Sequence, residues 1–176
     1  MTTDGFVTCL WFDGRAEEAA HHYASVFDDS HVDRVVRCTD AGPGPAGSVL
    51  TVEFTANGQR FLALDGGPQF RFNEAVSFQI LCSDQREIDH YWTRLTEDGG
   101  EGGPCGWLKD RFGVSWQVVY APLLDMIGDP DPEKAARATR AMMTMGKLDA
   151  EALEKAYAGE RPDPVPARRA GPVPRG

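Results

Sequence analysis

The sequence predicts an α+β fold in which two tandem βαβββ modules form a half-open eight-stranded barrel around a cavity, followed by C-terminal helices. Three observations support this prediction. The same order of strand-like and helix-like segments occurs twice, and a Gly- and Pro-rich link at residues 65–68 separates the two copies. The chain also has 176 residues, 41% of them hydrophobic, which is enough for one sizeable core.

The first module begins with a short apolar strand at residues 6–12. Residues 15–27 carry Ala, Tyr and Phe at spacings of three and four, the pattern of an amphipathic helix. Asn57-Gly58 is a strong hairpin signal because both residues tolerate a positive φ. Three strands are therefore predicted after the helix, at residues 31–38, 48–55 and 59–64.

The second module repeats this order about 70 residues later. Residues 75–82 are strand-like, and Ser83-Asp84 caps a helix that runs to about residue 97. A hairpin at residues 107–117 supplies two further strands, with room for a short one before it. Because each module leaves one sheet face uncovered by its helix, we expect the two to pack side by side and enclose a cavity.

The rest of the chain has a different character, and we expect three regions. Residues 1–127 form the paired modules, at about 6–65 and 75–120. A helical extension follows at residues 128–159, where Asp-Pro-Asp-Pro-Glu is a strong helix start. Its apolar stripe of Ala138, Met142 and Met145 is open to two interpretations, packing on the barrel or on a second subunit. The Pro- and Arg-rich residues 160–176 are expected to be disordered.

Composition excludes several classes of partner. A formal net charge of −9 argues against nucleic acid, which needs clustered Lys and Arg. No segment approaches the roughly 20 apolar residues that span a membrane, and the first residues do not resemble a signal peptide. The four cysteines are scattered, which favours reduced structural thiols. We expect a cytoplasmic protein.

Alternation along the strands predicts which side chains face the cavity. The polar residues placed on that concave side are Thr8, Ser77, Gln79, Ser115 and Gln117. Trp116 has the opposite parity and is expected in the core. Either Trp107 or Leu108 faces the cavity, and the sequence leaves both alternatives open.

Four segments carry a resemblance to a known family: residues 10–14 (LWFDG), 61–68 (FLALDGGP), 72–78 (FNEAVSF) and 105–117 (CGWLKDRFGVSWQ). Together they are similar to the PhnB-like branch, also called 3-demethylubiquinone-9 3-methyltransferase-like. This branch is part of the vicinal oxygen chelate superfamily, with the glyoxalases, bleomycin-resistance proteins and extradiol dioxygenases. The resemblance supports the doubled βαβββ fold.

The resemblance also implies where a metal ion would be held in metal-using relatives. The matching positions are Thr8, Ser77, Gln117 and either Leu62 or Leu64. Divalent metals prefer carboxylate oxygens or imidazole nitrogens, which these residues do not supply. We therefore expect no metal and no cofactor.

The methyltransferase part of the family name implies S-adenosylmethionine, for which a Gly-rich turn normally leads from a strand into a helix. Here residues 42–47 (GPGPAG) lead into a predicted strand. The sequence therefore predicts no such cofactor site.

Two function classes remain. The first is metal-free binding of a small, partly aromatic molecule in a dimeric protein. Ser77, Gln79 and Gln117 are neutral hydrogen-bonding groups that suit an uncharged or amide-bearing ligand. The second class is an enzyme on the same scaffold, either a lyase or isomerase that uses Cys105 or Asp110, or a cryptic metal-dependent enzyme. The full set of expected ligand-binding residues is Thr8, Leu10, Phe72, Asn73, Ser77, Gln79, Trp107, Ser115 and Gln117.

Overall fold

The computed structural model describes residues 5–160 and shows two four-stranded mixed sheets with helices against them. The predicted tail therefore lies almost entirely outside the described residues. The first module consists of β1 (Thr8–Phe12), α1 (Ala16–Val26), β2 (His31–Arg37), β3 (Val49–Ala56) and β4 (Gln59–Asp65). The second consists of β5 (Phe78–Cys82), α2 (Gln85–Thr96), β6 (Glu101–Gly102), β7 (Trp107–Lys109) and β8 (Ser115–Tyr120). The helices α3 (Ala121–Ile127), α4 (Pro132–Met142) and α5 (Ala150–Ala158) follow.

The two sheets have the same topology, which confirms the α+β class and the repeated βαβββ order. The strand order is β1-β4-β3-β2 in the first sheet and β5-β8-β7-β6 in the second. In each, the first strand pairs in parallel with the last, and the other pairs are antiparallel. Within residues 5–160 the eight strands form two open sheets of four, which fit the expected half-open arrangement.

Local chemistry explains the main boundaries. Asn57 and Gly58 both adopt positive φ, 49° and 72°, which makes the tight turn between β3 and β4. Helix α2 begins after Asp84, whose carboxylate accepts the Glu87 N–H at 2.9 Å. The sequence did not indicate helix α3, which follows β8 directly and has Pro122 in its first turn.

The core is continuous between the two modules. Helix α1 lies close to the first sheet through Ala16, Ala19 and Ala20, which are completely buried. Its other contacts are aromatic: the rings of Tyr23 and Phe27 lie 5.5 Å and 5.2 Å from the ring of Trp116 on β8. The helix-facing sides of both sheets therefore share one core.

Asp110 joins the modules through four hydrogen bonds. Its Oδ2 accepts the Tyr23 hydroxyl at 2.7 Å and the Trp116 indole N–H at 2.8 Å. Its Oδ1 accepts the backbone N–H groups of Phe112 and Val114 at 2.9 and 3.0 Å, which shapes the turn before β8. Burial raises the pKa of Asp110, and the four donors oppose that rise. Burial and the Asp110 charge raise the pKa of Tyr23 well above its usual value, so the phenol remains a donor.

The C-terminal helices pack on the second module of the same chain. The Gln85 side chain of α2 donates to the Leu148 carbonyl and accepts the Ala150 N–H, at 3.2 and 2.8 Å. Ala138 is completely buried, and Met142 and Met145 pack against the core. The apolar stripe therefore packs within the chain, which is the first of the two interpretations. In the stretch from residue 5 to 160, no helix is long and apolar enough to cross a membrane.

We expect Asp110→Ala to lower the free energy of unfolding by about 3 to 5 kcal/mol, because four buried donors lose their acceptor at once. Tyr23→Phe removes one of these bonds and should cost about 1 to 2 kcal/mol. Chemical denaturation followed by tryptophan fluorescence measures both. Asp125→Ala, at an exposed position on α3, is the control, and equal losses for Asp110→Ala and this control would contradict the role of Asp110.

Candidate functional site

The candidate site lies on the open face of the second sheet, the side away from α2. Trp107, Gln117 and Gln79 are direct cross-strand neighbours on β7, β8 and β5 and therefore share this face. Lys109 and Ser115 form the adjacent cross-strand pair. Leu108, Trp116 and Ile80 are buried on the opposite face. The structure thus decides the alternative left open: Trp107 faces outward and Leu108 packs in the core.

A chain of hydrogen bonds connects three of the predicted residues. The Gln79 side-chain N–H donates to the Gln117 side-chain oxygen at 3.1 Å. The Gln117 side-chain N–H in turn donates to the Ser77 hydroxyl at 2.8 Å. The Gln79 oxygen and the Ser77 hydroxyl proton, at the two ends of this series of bonds, make no further hydrogen bond to any described residue. The arrangement offers neutral donors and acceptors at fixed positions.

A cavity of ≈ 430 Å³ lies over β6 and β7 of the same sheet. Trp107, Lys109 and Ser115 line it from the sheet, and Glu74 lines it from the link between the modules. Ser115 is only 2% exposed, yet its hydroxyl has no hydrogen-bond partner among the residues that the structure describes. The volume falls in the range of small-molecule pockets.

A second, smaller cavity of ≈ 220 Å³ lies where the two modules meet. Ser77 and Gln79 line it together with Phe27 and Phe61 of the first module. Of the predicted polar residues, Ser115 thus lines the first cavity and Ser77 and Gln79 line the second, whereas Gln117 lines neither.

The first strand does not contribute as expected. Leu10 is buried on the helix-facing side, and Thr8 has the same parity and pairs with buried Phe61. The prediction that Thr8 and Leu10 face the concave side was wrong. β1 instead presents Cys9 and Trp11 on its open face. Both faces of this five-residue strand are largely apolar. The alternation of polar and apolar residues therefore does not identify which face is turned toward the core.

The residues of the link lie beside the site. Phe72 packs edge-on against Phe12, with ring centroids 5.3 Å apart. The Asn73 side-chain oxygen accepts the Ala75 N–H at 3.0 Å, which holds a local turn. Neither residue lies among those that line the two cavities, although Glu74 of the same link does.

The two candidate catalytic residues are in different environments. Asp110 is inside the core, and both of its oxygens already accept two hydrogen bonds. Cys105 is half-buried, and its sulfur lies 3.7 Å from the sulfur of Met143. A thioether is neither an acid nor a base, so this contact does not activate the thiol.

The positions implied for a metal ion do not fit one. Thr8 and Leu62 belong to the first sheet, whereas Ser77 and Gln117 belong to the second. The Gln117 side chain is already hydrogen-bonded to Gln79 and Ser77. Among residues 5–160, no group of three or more His, Cys, Asp or Glu side chains is arranged to hold a metal ion.

A larger groove of ≈ 950 Å³ lies beside the end of β1 and includes Trp11. Its acidic side chains already have partners. Glu17 is paired with Arg37 at 3.1 Å, and Asp65 accepts the Ala16 N–H at 2.9 Å. The polar groups of this groove are therefore less available than those of the second module.

Sequence reasoning missed three charged residues around the cavity: Glu74, Glu101 and Lys109. Parity could have placed Lys109, because it lies two residues after Trp107 on the same strand. Glu74 is in an irregular link, and Glu101 is in a two-residue strand, so neither carries a periodic signal.

The paired βαβββ sheets with their open faces define a glyoxalase-fold protein. A sequence profile of the family described as 3-demethylubiquinone-9 3-methyltransferase matches residues 4–119. The chain belongs to this family, the PhnB-like branch of the vicinal oxygen chelate superfamily.

Solved structures similar to the chain include two bacterial proteins. The PhnB protein from Bacillus cereus, a proposed 3-demethylubiquinone-9 3-methyltransferase, is 36% identical, with a TM-score of 0.60 over 67% of this chain and 100% of that chain. Protein PA1353 from Pseudomonas aeruginosa is 21% identical, with a TM-score of 0.52 over 65% and 95% of the two chains, and shows the fold alone. No curated protein matches the chain.

The methyltransferase part of the family name implies a site for S-adenosylmethionine. The Gly- and Pro-rich segment at residues 42–47 is a loop between β2 and β3 and leads into a strand. It therefore lacks the strand, turn and helix arrangement that binds a nucleotide-like cofactor.

We expect the four free cysteines to differ in reactivity. Burial raises the pKa of Cys82 to about 12, and Cys38 is also buried, so both should resist a thiol reagent at pH 8. Cys9 is exposed and Cys105 is half-buried, so these two should react in the native protein. Mass spectrometry of peptides after brief alkylation, with a denatured sample as control, measures the order. Labelling of Cys82 as fast as Cys9 would contradict it.

Proposed function

We propose that the protein binds a small, partly aromatic molecule on the open face of the second module, without a metal ion. The observation that carries this proposal is the hydrogen-bonded chain of Ser77, Gln117 and Gln79 beside the Trp107 ring and a cavity. Side-chain amides on a sheet are held in place by their neighbours, so their free donors and acceptors point in fixed directions. Such groups orient a ligand, while Trp107 supplies apolar contact area.

The neutrality of these three side chains indicates the kind of ligand. Amide and hydroxyl groups match hydrogen-bonding groups of either polarity but do not neutralise a charge. The part of the ligand that lies over Gln117 is therefore uncharged, and amide-bearing compounds are the first to test. The four free cysteines are in keeping with a reducing compartment, and we propose that the protein acts in the cytoplasm.

A thermal-shift screen of amide-bearing and aromatic compounds tests the proposal. A compound at about 100 times its Kd stabilises the native state by about 2.7 kcal/mol, which is a measurable rise in Tm. We expect Gln117→Ala to reduce this rise, because both neighbours of Gln117 lose their partner.

The matched control is Gln69→Ala, at an exposed glutamine outside the second module. It should leave the ligand-induced rise unchanged. If no compound raises the Tm, or if both variants respond equally, the proposed site is wrong.

We further propose that the protein is a homodimer in which the open sheet faces are covered by a second copy. Among the described residues, β1 and β5 each pair on one side only. Each is therefore an edge strand of its sheet that a second copy could contact. Leu81 on β5 is 56% exposed on the open face. A second copy would bury this apolar surface and complete the walls of the cavity.

We expect Leu81→Lys to convert the dimer to a monomer, because a charge on the covered face would be buried without a partner. Leu124→Lys is the matched control, since Leu124 is 43% exposed on α3. Analytical ultracentrifugation of both variants at several concentrations measures the state. A monomeric parent protein, or dissociation of both variants, would contradict the proposed interface.

A further inference from the structure

We propose that the cavity beside Trp107 and Ser115 takes a planar ring that carries a protonated nitrogen, such as an aromatic amidine or amine. This inference rests on the proposed function and specifies the charged end of the ligand. The amide chain of Gln79 and Gln117 would contact the uncharged remainder.

The first observation concerns the hydroxyl group of Ser115. Its oxygen is buried and makes no hydrogen bond to any described residue, and Ser115 is one of the residues that line the cavity. An unpaired buried hydroxyl is unfavourable for the free protein. A ligand N–H that reaches this oxygen after a change of the Ser115 side-chain rotamer would donate to it and remove that cost.

The charges at the cavity rim indicate the sign of the ligand charge. Two carboxylates, Glu74 and Glu101, line the cavity, and Lys109 is the single ammonium there. Lys109 is already paired with Glu74, and its hydrogen bond lowers the pKa of that carboxyl. Glu101 is directly opposite Lys109 in the β6–β7 register, yet it has no ion-pair partner among the residues that the structure describes. The rim therefore retains one unneutralised negative charge.

The shape of the cavity fits a flat group. Gly103 lines it without a side chain next to Trp107, which leaves this part of the surface open. The face of an indole ring attracts a planar cation as well as an aromatic ring. A protonated nitrogen on such a ring can reach toward Glu101 while the ring lies on Trp107.

Three probes of nearly equal shape test the charge preference: benzamidinium, benzamide and benzoate. We expect benzamidinium to bind several-fold more tightly than benzamide and benzoate to bind most weakly, as measured by NMR titration. Glu101→Gln should weaken benzamidinium binding by up to about fivefold and leave benzamide unchanged. Glu133→Gln, at an exposed position on α4, is the control and should change neither affinity.

Ser115→Ala separates a ligand-binding role from a structural one. Because it removes an unpaired hydroxyl, it should raise the Tm of the free protein. It should also weaken benzamidinium binding about three- to tenfold, the effect of one lost hydrogen bond. A lower Tm with unchanged affinity would make Ser115 structural and overturn the inference.

The remaining outcomes distinguish this inference from the proposed function. If benzamide or benzoate binds at least as tightly as benzamidinium, the charge assignment is overturned while small-molecule binding stands. If none of the three probes binds but a screened compound requires Gln117, the ligand class is wrong and the site is right. If neither the probes nor any screened compound binds, both proposals fail.

Discussion

The structure depends on the buried carboxylate of Asp110. This one side chain accepts a hydroxyl from α1, an indole N–H from β8 and two backbone N–H groups from the turn that precedes β8. A buried carboxylate is tolerated only when donors replace the water that it loses, and here four donors do so. The bonds come from both modules. They therefore determine how the modules are oriented as well as how the last hairpin is shaped.

This orientation explains why polar side chains are available for binding. Tyr23 of the first helix and Phe27, which follows that helix, contact Trp116 of the second sheet, so the two modules meet through their helix-facing sides. The opposite faces of the sheets remain outside the core. Gln117 is on the same strand as Trp116 but one residue later, and alternation turns it to the outer face. Its position is a direct consequence of burying Trp116.

The open faces of the sheets carry features that are unfavourable for the stability of the isolated chain. Leu81 is exposed, the buried Ser115 hydroxyl has no partner among the described residues, and β1 and β5 are edge strands. Features that destabilise a protein locally are often found where it binds something. Leu81 and Ser115 lie on the open face of the second sheet, whose edge strand is β5, and β1 is an edge strand of the first sheet. Under the proposals above, a ligand and a second copy together would remove these features. The core around Asp110 supplies the rigidity that lets these features persist.

The sequence by itself determined the repeated modules, nearly all of the strands and helices, and the shared sheet face of Gln79, Ser115 and Gln117. These follow from periodicity within single segments, because polar and apolar residues alternate clearly along β5 and β8. Alternation failed for Thr8 and Leu10, since both faces of β1 are apolar. Only the tertiary structure decided that Trp107 and not Leu108 faces outward, that Asp110 is buried, and that Glu74, Glu101 and Lys109 surround one cavity. Those outcomes depend on pairing between distant segments, and no local pattern encodes which distant residues will meet.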